Sequence, residues 1–196
     1  MITSNEWHIF QQGFDNETCK KIISLGGDGF DPGEIAGQTD RIIDESIRLS
    51  DVKWLGDCRW IIDLMLPYIE SANINAKWGY DITGLGRLQL TKYKEGGFYD
   101  WHRDGLGDHT AGLQYGNDPN KYVRKLSATV LLDDGYEGGE FQFISHDRTS
   151  HVVSTPEFFR VGSVIVFPSF MNHRVTPVTK GTRHSLVSWF LGPPFK

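Results

Sequence analysis

The chain has 196 residues, a formal net charge of −5 and a pI near 5.8, with 39% hydrophobic, 13% aromatic and 23% charged residues. These values are typical of an ordinary globular protein, and they exclude a disordered or fibrous chain. The simplest organisation is a single domain over residues 1–196. The acidic balance argues against a protein that neutralises nucleic-acid phosphates, so no nucleic-acid partner is expected.

Cysteine usage and the N-terminus predict a cytoplasmic protein. Cys19 and Cys58 are too few for a disulfide framework and have no Cys or His neighbour at zinc-ligand spacing, so both are predicted to be buried thiols. The N-terminus has no basic region followed by an apolar one, and no apolar run approaches the ~18 residues of a membrane span. No membrane partner is expected.

Two helices are predicted within residues 1–80, which we interpret as a helical support region. The first covers residues 15–25, with Asp15 as its N-cap and Gly26-Gly27 as its end. The second is predicted from Lys53 to Ser71, because apolar residues recur there at helical spacing. These residues are Cys58, Ile61, Ile62, Met65, Leu66 and Ile69.

Two features qualify this N-terminal region. Pro67 follows Leu66 inside the second predicted helix, and a proline there should bend or end it. The glycine-rich stretch from Gly26 to Gly37 is predicted to be a loop that carries little chemistry.

Residues 85–192 have the pattern of short strands separated by turns, and we interpret them as the core of the fold. The predicted strands are Leu85–Tyr93, a short strand carrying His102 and Asp104, Leu126–Leu132, Glu140–Ile144, His151–Ser154, Gly162–Pro168, His173–Val178 and His184–Leu191. Leu126–Leu132 and Glu140–Ile144 are expected to pair across the turn that joins them. The pattern predicts an all-β sandwich or jelly roll preceded by helices.

The segment from Gly105 to Lys125 is polar, glycine-rich and long for a loop. Loops of this length in compact domains are usually functional, so a lid over the site is expected, with a disordered surface loop as the alternative. Lys121, Arg124 and Lys125 are the best candidates for a local basic patch. A solvated loop edge is the simpler interpretation of these three charges.

A His-x-Asp pair, His102 and Asp104, opens the argument for a metal site. Alternate residues of a strand share a face, so both side chains could point at one ion while Arg103 points away. By itself the pair is weak evidence, since about one such pair is expected by chance in a chain of this composition.

The downstream half strengthens the case. Among the seven histidines, only His173 has an arginine ten residues later, namely Arg183. With residues 179–182 as a turn, His173 and Arg183 would lie on neighbouring antiparallel strands and face one pocket. Two imidazoles and one carboxylate form a facial triad that suits ferrous iron and leaves coordination positions open.

An ordered set of motifs over residues 85–192 resembles the iron(II)/2-oxoglutarate dioxygenases, specifically their prolyl 4-hydroxylase-like branch. The set comprises Tyr93, Gly96-Gly97, His102 to Asp104, the strand from Arg124, Tyr136 to Glu140, Gly162 to Pro168, and His173 through Arg183 to Trp189. The resemblance implies a mainly β double-stranded β-helix, or jelly roll, with a metal in its mouth.

The resemblance also implies roles for particular residues. Iron(II) would be held by His102, Asp104 and His173. Arg183 would receive the distal carboxylate of 2-oxoglutarate, since a guanidinium matches a carboxylate with two parallel hydrogen bonds. Tyr93 would reach the cosubstrate, and Ser185 is a weaker candidate for the same pocket. O2 is the other cosubstrate, and ascorbate is a further candidate cofactor.

Other residues receive no catalytic role. Trp101 is assigned to packing rather than to the pocket, and Trp189 and Phe190 are assigned to the core. The histidines outside the triad are predicted to be surface or supporting residues. Leu131 occupies a position where some relatives carry a tyrosine, so that strand is not expected to contact the cosubstrate.

The expected function is hydroxylation of a C–H bond, of a peptidyl proline in the first instance, with release of succinate and CO2. A protein or peptide substrate is therefore expected. Alternatives are the same chemistry on a free amino acid, another small molecule or an alkylated base, or a jelly-roll binding module without turnover. The base version is disfavoured because base-repair relatives carry a second arginine where this chain has Trp189.

Overall fold

The structure, a computed structural model, describes residues 2–3, 6–36, 41–105, 122–145, 151–154 and 160–195. Strands predominate in these ranges, and two helices lie among them, both in the first half of the chain. The predicted mainly β fold with N-terminal helices is confirmed. None of the described helices is long and apolar enough to cross a membrane.

The elements have the following bounds. The helices are α1 (Asn16–Ser24) and α2 (Arg59–Asn75). The strands are β1 (Ile2–Thr3), β2 (His8–Phe10), β3 (Asp31–Pro32), β4 (Ile35–Ala36), β5 (Arg41–Ile42), β6 (Arg48–Leu49), β7 (Asp51–Leu55), β8 (Gly84–Leu85), β9 (Leu88–Tyr93), β10 (Phe98–His102), β11 (Val123–Leu131), β12 (Tyr136–Gly138), β13 (Phe141–Ser145), β14 (His151–Ser154), β15 (Val164–Pro168), β16 (His173–Val175), β17 (Val178–Gly181) and β18 (Arg183–Gly192).

Two antiparallel sheets form the body of the fold. The larger has the order β1-β2-β15-β11-β18-β9-β7-β3, with β8 also paired to β18. The smaller has the order β14-β13-β16-β10-β6, and the pairs β12-β17 and β4-β5 stand apart from both. Strands from the first 80 residues, predicted as a helical support region, therefore enter both sheets.

Alternation along β18 separates the two faces of the large sheet. Leu186 and Phe190 belong to the apolar cluster that also contains the buried residues of α2. Arg183, Ser185 and Val187 lie on the opposite face and line a cavity between the sheets. Because successive side chains of a strand point to opposite faces, one strand serves both the core and the cavity.

The first helix begins as predicted. The side chain of Asp15 accepts a hydrogen bond of 2.7 Å from the backbone N–H of Thr18 and caps α1. That N–H is one of the donors that a helix N-terminus leaves unpaired, so the cap stabilises the first turn. Cys19 on this helix is fully buried as expected, whereas Cys58 is only half-buried.

The second helix begins later than predicted. Residues 51–55, part of which was assigned to the helix, form β7 and pair with β9, and α2 starts at Arg59. The helix continues through Pro67 instead of ending there. Burying Ile61, Met65 and Ile69, each at most 1% exposed, contributes about 1.5–3 kcal/mol per side chain, and together the three exceed the ~3 kcal/mol cost of an internal proline.

The predicted pairing of Leu126–Leu132 with Glu140–Ile144 is wrong. β11, which contains most of the first segment, pairs with β15 and β18 in the large sheet. β13, which contains most of the second, pairs with β14 and β16 in the small sheet. The chain between them crosses from one sheet to the other, since inward-facing apolar residues on both strands are buried by facing sheets rather than by each other.

Candidate active site

The ends of two neighbouring strands bring the candidate ligands together. His102 is the last residue of β10 and His173 the first of β16, and the two are direct cross-strand partners. Asp104 lies two residues beyond the end of β10, where its backbone N–H donates to the carbonyl of Ser169 at 2.9 Å. His102 and Asp104 therefore converge without sharing a strand, contrary to the prediction.

The three side chains form a compact cluster. Nε2 of His102 lies 3.8 Å from Oδ1 of Asp104, and Nε2 of His173 lies 3.7 Å from Oδ2 of the same carboxylate. One candidate ligand atom of each residue lies within 4.8 Å of the others. Two imidazoles and one carboxylate are the donor set of a facial ferrous site, so these residues fit iron(II).

Backbone carbonyls orient both imidazoles. Nδ1 of His102 lies 2.7 Å from the carbonyl oxygen of Asp100, and Nδ1 of His173 lies 2.9 Å from that of Met171. A carbonyl oxygen only accepts, so each Nδ1 carries the proton and each Nε2 keeps its lone pair. The contacts thus select the tautomer that a metal requires.

Electrostatics favour the metal-binding protonation states of His102 and Asp104. Burial and the neighbouring His173 lower the pKa of His102 to about 3, so its imidazole is neutral near pH 7. Burial alone would raise the pKa of Asp104, but His173 and His102 outweigh it. Arg124 and the hydroxyl of Ser127 lower it further, and the net shift of the Asp104 pKa is downward.

Arg183 lines the same cavity but, contrary to the prediction, the strand that carries it is not the neighbour of the His173 strand. Residues 178–181, most of which were assigned to a turn, form β17 and pair with β12. His173 and Arg183 consequently lie in different sheets, on β16 and β18, rather than on neighbouring strands. They face one cavity because those two sheets pack against each other.

The guanidinium of Arg183 is fully buried and only partly paired. Its Nη1 donates to Oγ of Ser185 at 3.1 Å. No described residue accepts a hydrogen bond from its Nε or Nη2. Unpaired buried donors on a cation are costly, so the site fits an anion that accepts from both, such as a carboxylate.

A glycine of the Tyr136–Glu140 motif makes room for this arginine. Gly139 has φ +60°, and a Cβ on it would lie 2.9 Å from Cδ of Arg183. A larger residue would be strained by its backbone angle and would displace the arginine stem. The motif therefore supports the position of Arg183 from outside the cavity.

Tyr93 and Ser185 lie beside Arg183. Tyr93 is the cross-strand partner of Arg183 on β9, with its ring centroid 5.4 Å from the guanidinium carbon. Burial raises the pKa of Tyr93, so its hydroxyl stays protonated and can donate. Ser185 is 2% exposed, and its side chain lines the cavity.

A cavity of about 870 Å³ joins the ligand cluster to the arginine. The cavity is lined by all six residues that were predicted to act at the site, namely Tyr93, His102, Asp104, His173, Arg183 and Ser185. The two functional clusters thus open into one space between the sheets.

Several cavity residues were not predicted from the sequence. Arg48, 6% exposed, lines the cavity from β6, although no motif marked it. Asp31 and Glu34 line it from the stretch that was predicted to carry little chemistry. Trp189, assigned to the core, is buried but faces the cavity, while Phe190 packs in the core as predicted.

Two of the three charges predicted to form a solvated loop edge, Arg124 and Lys125, lie in a strand instead. Arg124 and Lys125 lie within β11, and Lys125 is 4% exposed with its Nζ 3.3 Å from the centroid of the Phe195 ring. Arg124 lines the cavity and donates to the carbonyl of Asp104 at 2.9 Å. Lys121 and most of the expected Gly105–Lys125 lid, namely residues 106–121, lie outside the described residues, and residues 123–125 belong to β11.

The remaining aromatic and histidine assignments have mixed outcomes. Trp101 is not among the residues that line the cavity, and Arg174 stacks on its ring at 4.6 Å. His184 bonds Asp133, with its Nδ1 2.5 Å from Oδ2. His8 is fully buried rather than at the surface, and no described residue bonds its ring nitrogens.

Residues 88–191 match the sequence model of the 2OG-Fe(II) oxygenase superfamily. A PKHD-type hydroxylase of Stenotrophomonas maltophilia is 36% identical over 104 residues, which are 52% of this chain and 41% of that protein. The chain therefore spans about two fifths of the length of this relative.

Two solved structures share the fold. A prolyl-4-hydroxylase of Pseudomonas putida superposes with a TM-score of 0.68 at 18% identity and covers 97% of this chain and 94% of its own. A prolyl hydroxylase from Trichoplax adhaerens, in complex with a hypoxia inducible factor peptide fragment, gives 0.67 at 19% identity, with coverages of 96% and 84%. These likenesses confirm the predicted jelly-roll fold, and the superfamily model confirms the predicted family.

Proposed function

Since the chain belongs to the 2OG-Fe(II) oxygenase superfamily, we propose that it is an iron(II)- and 2-oxoglutarate-dependent oxygenase that hydroxylates a peptidyl proline and releases succinate and CO2. One observation carries this proposal. The His102, Asp104 and His173 cluster and a buried arginine with unpaired donors open into one cavity. Family membership implies iron(II), 2-oxoglutarate and O2, and ascorbate stays a prediction.

In this proposal the three clustered side chains hold iron(II). The two imidazoles and the carboxylate would supply two nitrogens and one oxygen to the ion. When bound there, iron supplies the activation of O2 that no protein side chain provides. The chain contributes the orientation of the ligands and the space that remains open beside them.

Arg183 receives the distal carboxylate of 2-oxoglutarate. Nε and Nη2 are the two donors left unpaired, and they can donate to the two oxygens of a carboxylate in the paired geometry that a lysine cannot supply. Tyr93 donates its hydroxyl to the cosubstrate from the neighbouring strand. Ser185 accepts from Nη1 of the arginine, which fixes the guanidinium at the wall of the cavity.

Apolar side chains of both sheets line part of the cavity between the two clusters. Phe141 and Val175 of the small sheet and Val187 of the large sheet line the cavity together with the polar groups. Apolar side chains beside the arginine lower the local dielectric, and charges such as a carboxylate and a guanidinium interact more strongly at low dielectric. These side chains would thereby help to hold the distal carboxylate of the cosubstrate at Arg183.

The substrate assignment rests on the relatives and on charge. Both structural neighbours are prolyl hydroxylases by name, and one of them is bound to a peptide fragment. The net charge of −5 gives no support to a nucleic-acid substrate. We therefore propose a proline of an extended peptide as the substrate.

The test is incubation of the protein with iron(II), 2-oxoglutarate, O2 and a library of proline-containing peptides. We expect succinate, and a peptide heavier by one oxygen whose modified residue fragmentation assigns to proline. The matched control is the His102→Ala/Asp104→Ala double variant, which should yield neither product. Full activity in this variant would contradict the metal assignment.

Two other outcomes would redirect the proposal. Succinate formed with a free amino acid or another small molecule, but with no peptide, would keep the chemistry and change the substrate. Failure of the wild-type protein to bind iron, manganese or zinc with 2-oxoglutarate present would favour a binding module without turnover.

A further inference from the structure

We propose that Arg48 is a positioning residue for the metal ligand His102 and that it acts through the ring of Tyr99. The inference rests on the metal site of the proposed function. It adds a residue that lies in a different segment from every ligand, on the edge strand β6 of the small sheet.

Strand pairing places the three side chains in series. Arg48 and Tyr99 are cross-strand partners on β6 and β10, and the guanidinium carbon lies 4.6 Å from the centroid of the tyrosine ring. The ring of Tyr99 in turn stacks on the imidazole of His102, with centroids 3.5 Å apart and planes at 12°. A cation, a phenol ring and a metal-binding imidazole are thus in consecutive contact.

A strand irregularity makes the second contact possible. Residues three apart on a regular strand face opposite sides, so the rings of Tyr99 and His102 would not meet. The pairing of β10 with β16 shifts its register between these two residues. Such a shift re-aims side chains, and here it brings the two rings onto one side of the strand.

Arg48 is held firmly enough to fix the tyrosine. Its Nε donates to Oγ of Ser50 at 2.8 Å, and its Nη1 donates to the carbonyl of Glu34 at 3.0 Å. Gly33 leaves the space for this arrangement, because a Cβ there would lie 2.6 Å from Nε of Arg48 and 2.6 Å from Oγ of Ser50. The guanidinium plane is therefore set from two sides before it contacts the ring.

The consequence concerns the direction of one lone pair. The carbonyl of Asp100 holds Nδ1 of His102, and the stacked ring of Tyr99 holds the plane of the same imidazole. Together they aim Nε2 at the carboxylate of Asp104. Without the guanidinium, Tyr99 gains freedom and the imidazole can turn out of the ligand plane, and loss of such supporting contacts typically weakens metal binding by about 10–100-fold.

The test uses cobalt(II) as a probe in the full chain, with 2-oxoglutarate absent. We expect Arg48→Gln to bind cobalt(II) about tenfold or more weakly than wild type, with a changed ligand-field absorption spectrum. Arg87→Gln is the matched control, since Arg87 stacks on Trp54 at 4.5 Å in the same manner but contacts no ligand. It should leave affinity and spectrum unchanged.

A double-mutant cycle tests whether Arg48 acts through Tyr99. Tyr99→Leu removes the ring, so adding Arg48→Gln to it should weaken cobalt(II) binding no further. Losses that add would overturn the proposed route. If Arg48→Gln does not fold, Gly33→Ala takes its place, because it keeps every side chain of the series and pushes on the guanidinium.

The two proposals fail differently. Wild-type cobalt(II) affinity and spectrum in Arg48→Gln would overturn the positioning role and leave the metal site intact. A wild-type chain that binds neither cobalt(II) nor iron(II) would overturn the metal site, and the positioning role with it.

Discussion

The two ends of the cavity are built in different ways. At the ligand end, His102 closes β10, His173 opens β16 and Asp104 lies past a strand end, with both imidazoles held by backbone carbonyls close in sequence. At the arginine end, Arg183 is fully buried on β18, and Tyr93 on β9 is its cross-strand partner. The ligand end is a rim of strand termini, and the arginine end is part of the sheet interior.

Because of this difference, substitutions at the two ends should have different effects on ligand binding and on folding. Ligand side chains at strand ends can be removed with little disturbance of sheet pairing, so their substitution should abolish metal binding more than folding. Arg183 is surrounded by packed groups, so its substitution should alter cosubstrate binding and also cost stability. The two ends should therefore respond differently to metal, to cosubstrate and to pH.

The largest effect is expected at the ligand end. Asp104→Ala removes the oxygen donor between the two imidazoles, and we expect metal to be lost and turnover to fall by about 10³-fold or more. Metal content and succinate formation measure the two effects. Asp133→Asn is the control, because Asp133 also bonds an imidazole, that of His184, but does so away from the cavity. Retention of metal by Asp104→Ala would contradict the assignment of this end.

The next effect belongs to the arginine end. Arg183→Lys keeps the charge but loses the paired donors, and we expect KM for 2-oxoglutarate to rise by about 10–100-fold. Metal affinity measured without 2-oxoglutarate should be unchanged. Arg174→Lys controls for loss of a guanidinium that stacks on an aromatic ring and does not line the cavity. An Arg183→Lys variant that loses metal instead would show that the two ends are not independent.

Acid sensitivity should belong to the ligand end. In the metal-free fold the pKa of His102 is about 3, against an ordinary value of 6.5. Between these two pH values the imidazole is protonated in the unfolded chain but not in the folded one. The free energy of unfolding therefore falls as pH drops, by about 2 kcal/mol from pH 7 to about pH 5. Urea unfolding of metal-free wild type and His102→Gln measures it, and the drop should be smaller in the variant. Equal drops in both proteins would exclude His102 as the cause.

A smaller effect is expected from a hydroxyl at the arginine end. Because burial raises the pKa of Tyr93, its hydroxyl remains a donor, and Tyr93→Phe should raise KM for 2-oxoglutarate by about fivefold to tenfold. Steady-state kinetics in 2-oxoglutarate measure the change. Tyr68→Phe is the control, since that hydroxyl donates to the carbonyl of Gly13 at 2.6 Å and should affect stability alone. An unchanged KM in Tyr93→Phe would remove Tyr93 from the cosubstrate pocket.

How far the sequence could predict each end of the cavity follows the same division. The ligand end carries a short motif, His102 to Asp104, whose convergence depends on residues close in the chain. The spacing of His173 and Arg183 marked both residues, yet their strand relation was predicted wrongly. Residues 178–181 contain Thr, Lys and Gly and look like a turn, but pairing with β12 makes them a strand.

Contacts between distant segments explain the other misses. The position of Arg48 is set by its contacts with Glu34, Ser50 and Tyr99. No periodic pattern in the sequence links these residues. The start of α2 was misplaced because the apolar residues before Gly56 fit a helical or an alternating pattern, and only pairing with β9 decides between them. Sheet partners of this kind are set by tertiary packing, which a single sequence does not display.

The smallest effect is also the sharpest test of independence between the two ends. Ser185→Ala removes the acceptor for Nη1 of Arg183, but the cosubstrate carboxylate still accepts from Nε and Nη2, so KM for 2-oxoglutarate should rise only about twofold to threefold. Ser188→Ala is the control, because Ser188 is equally buried on β18 and, three residues further along the strand, faces away from the cavity. Cobalt(II) affinity should be the same in both variants and wild type. A loss in Ser185→Ala alone would mean that the hydroxyl orients the ligand end across the cavity, and that the rim and the interior act as one site.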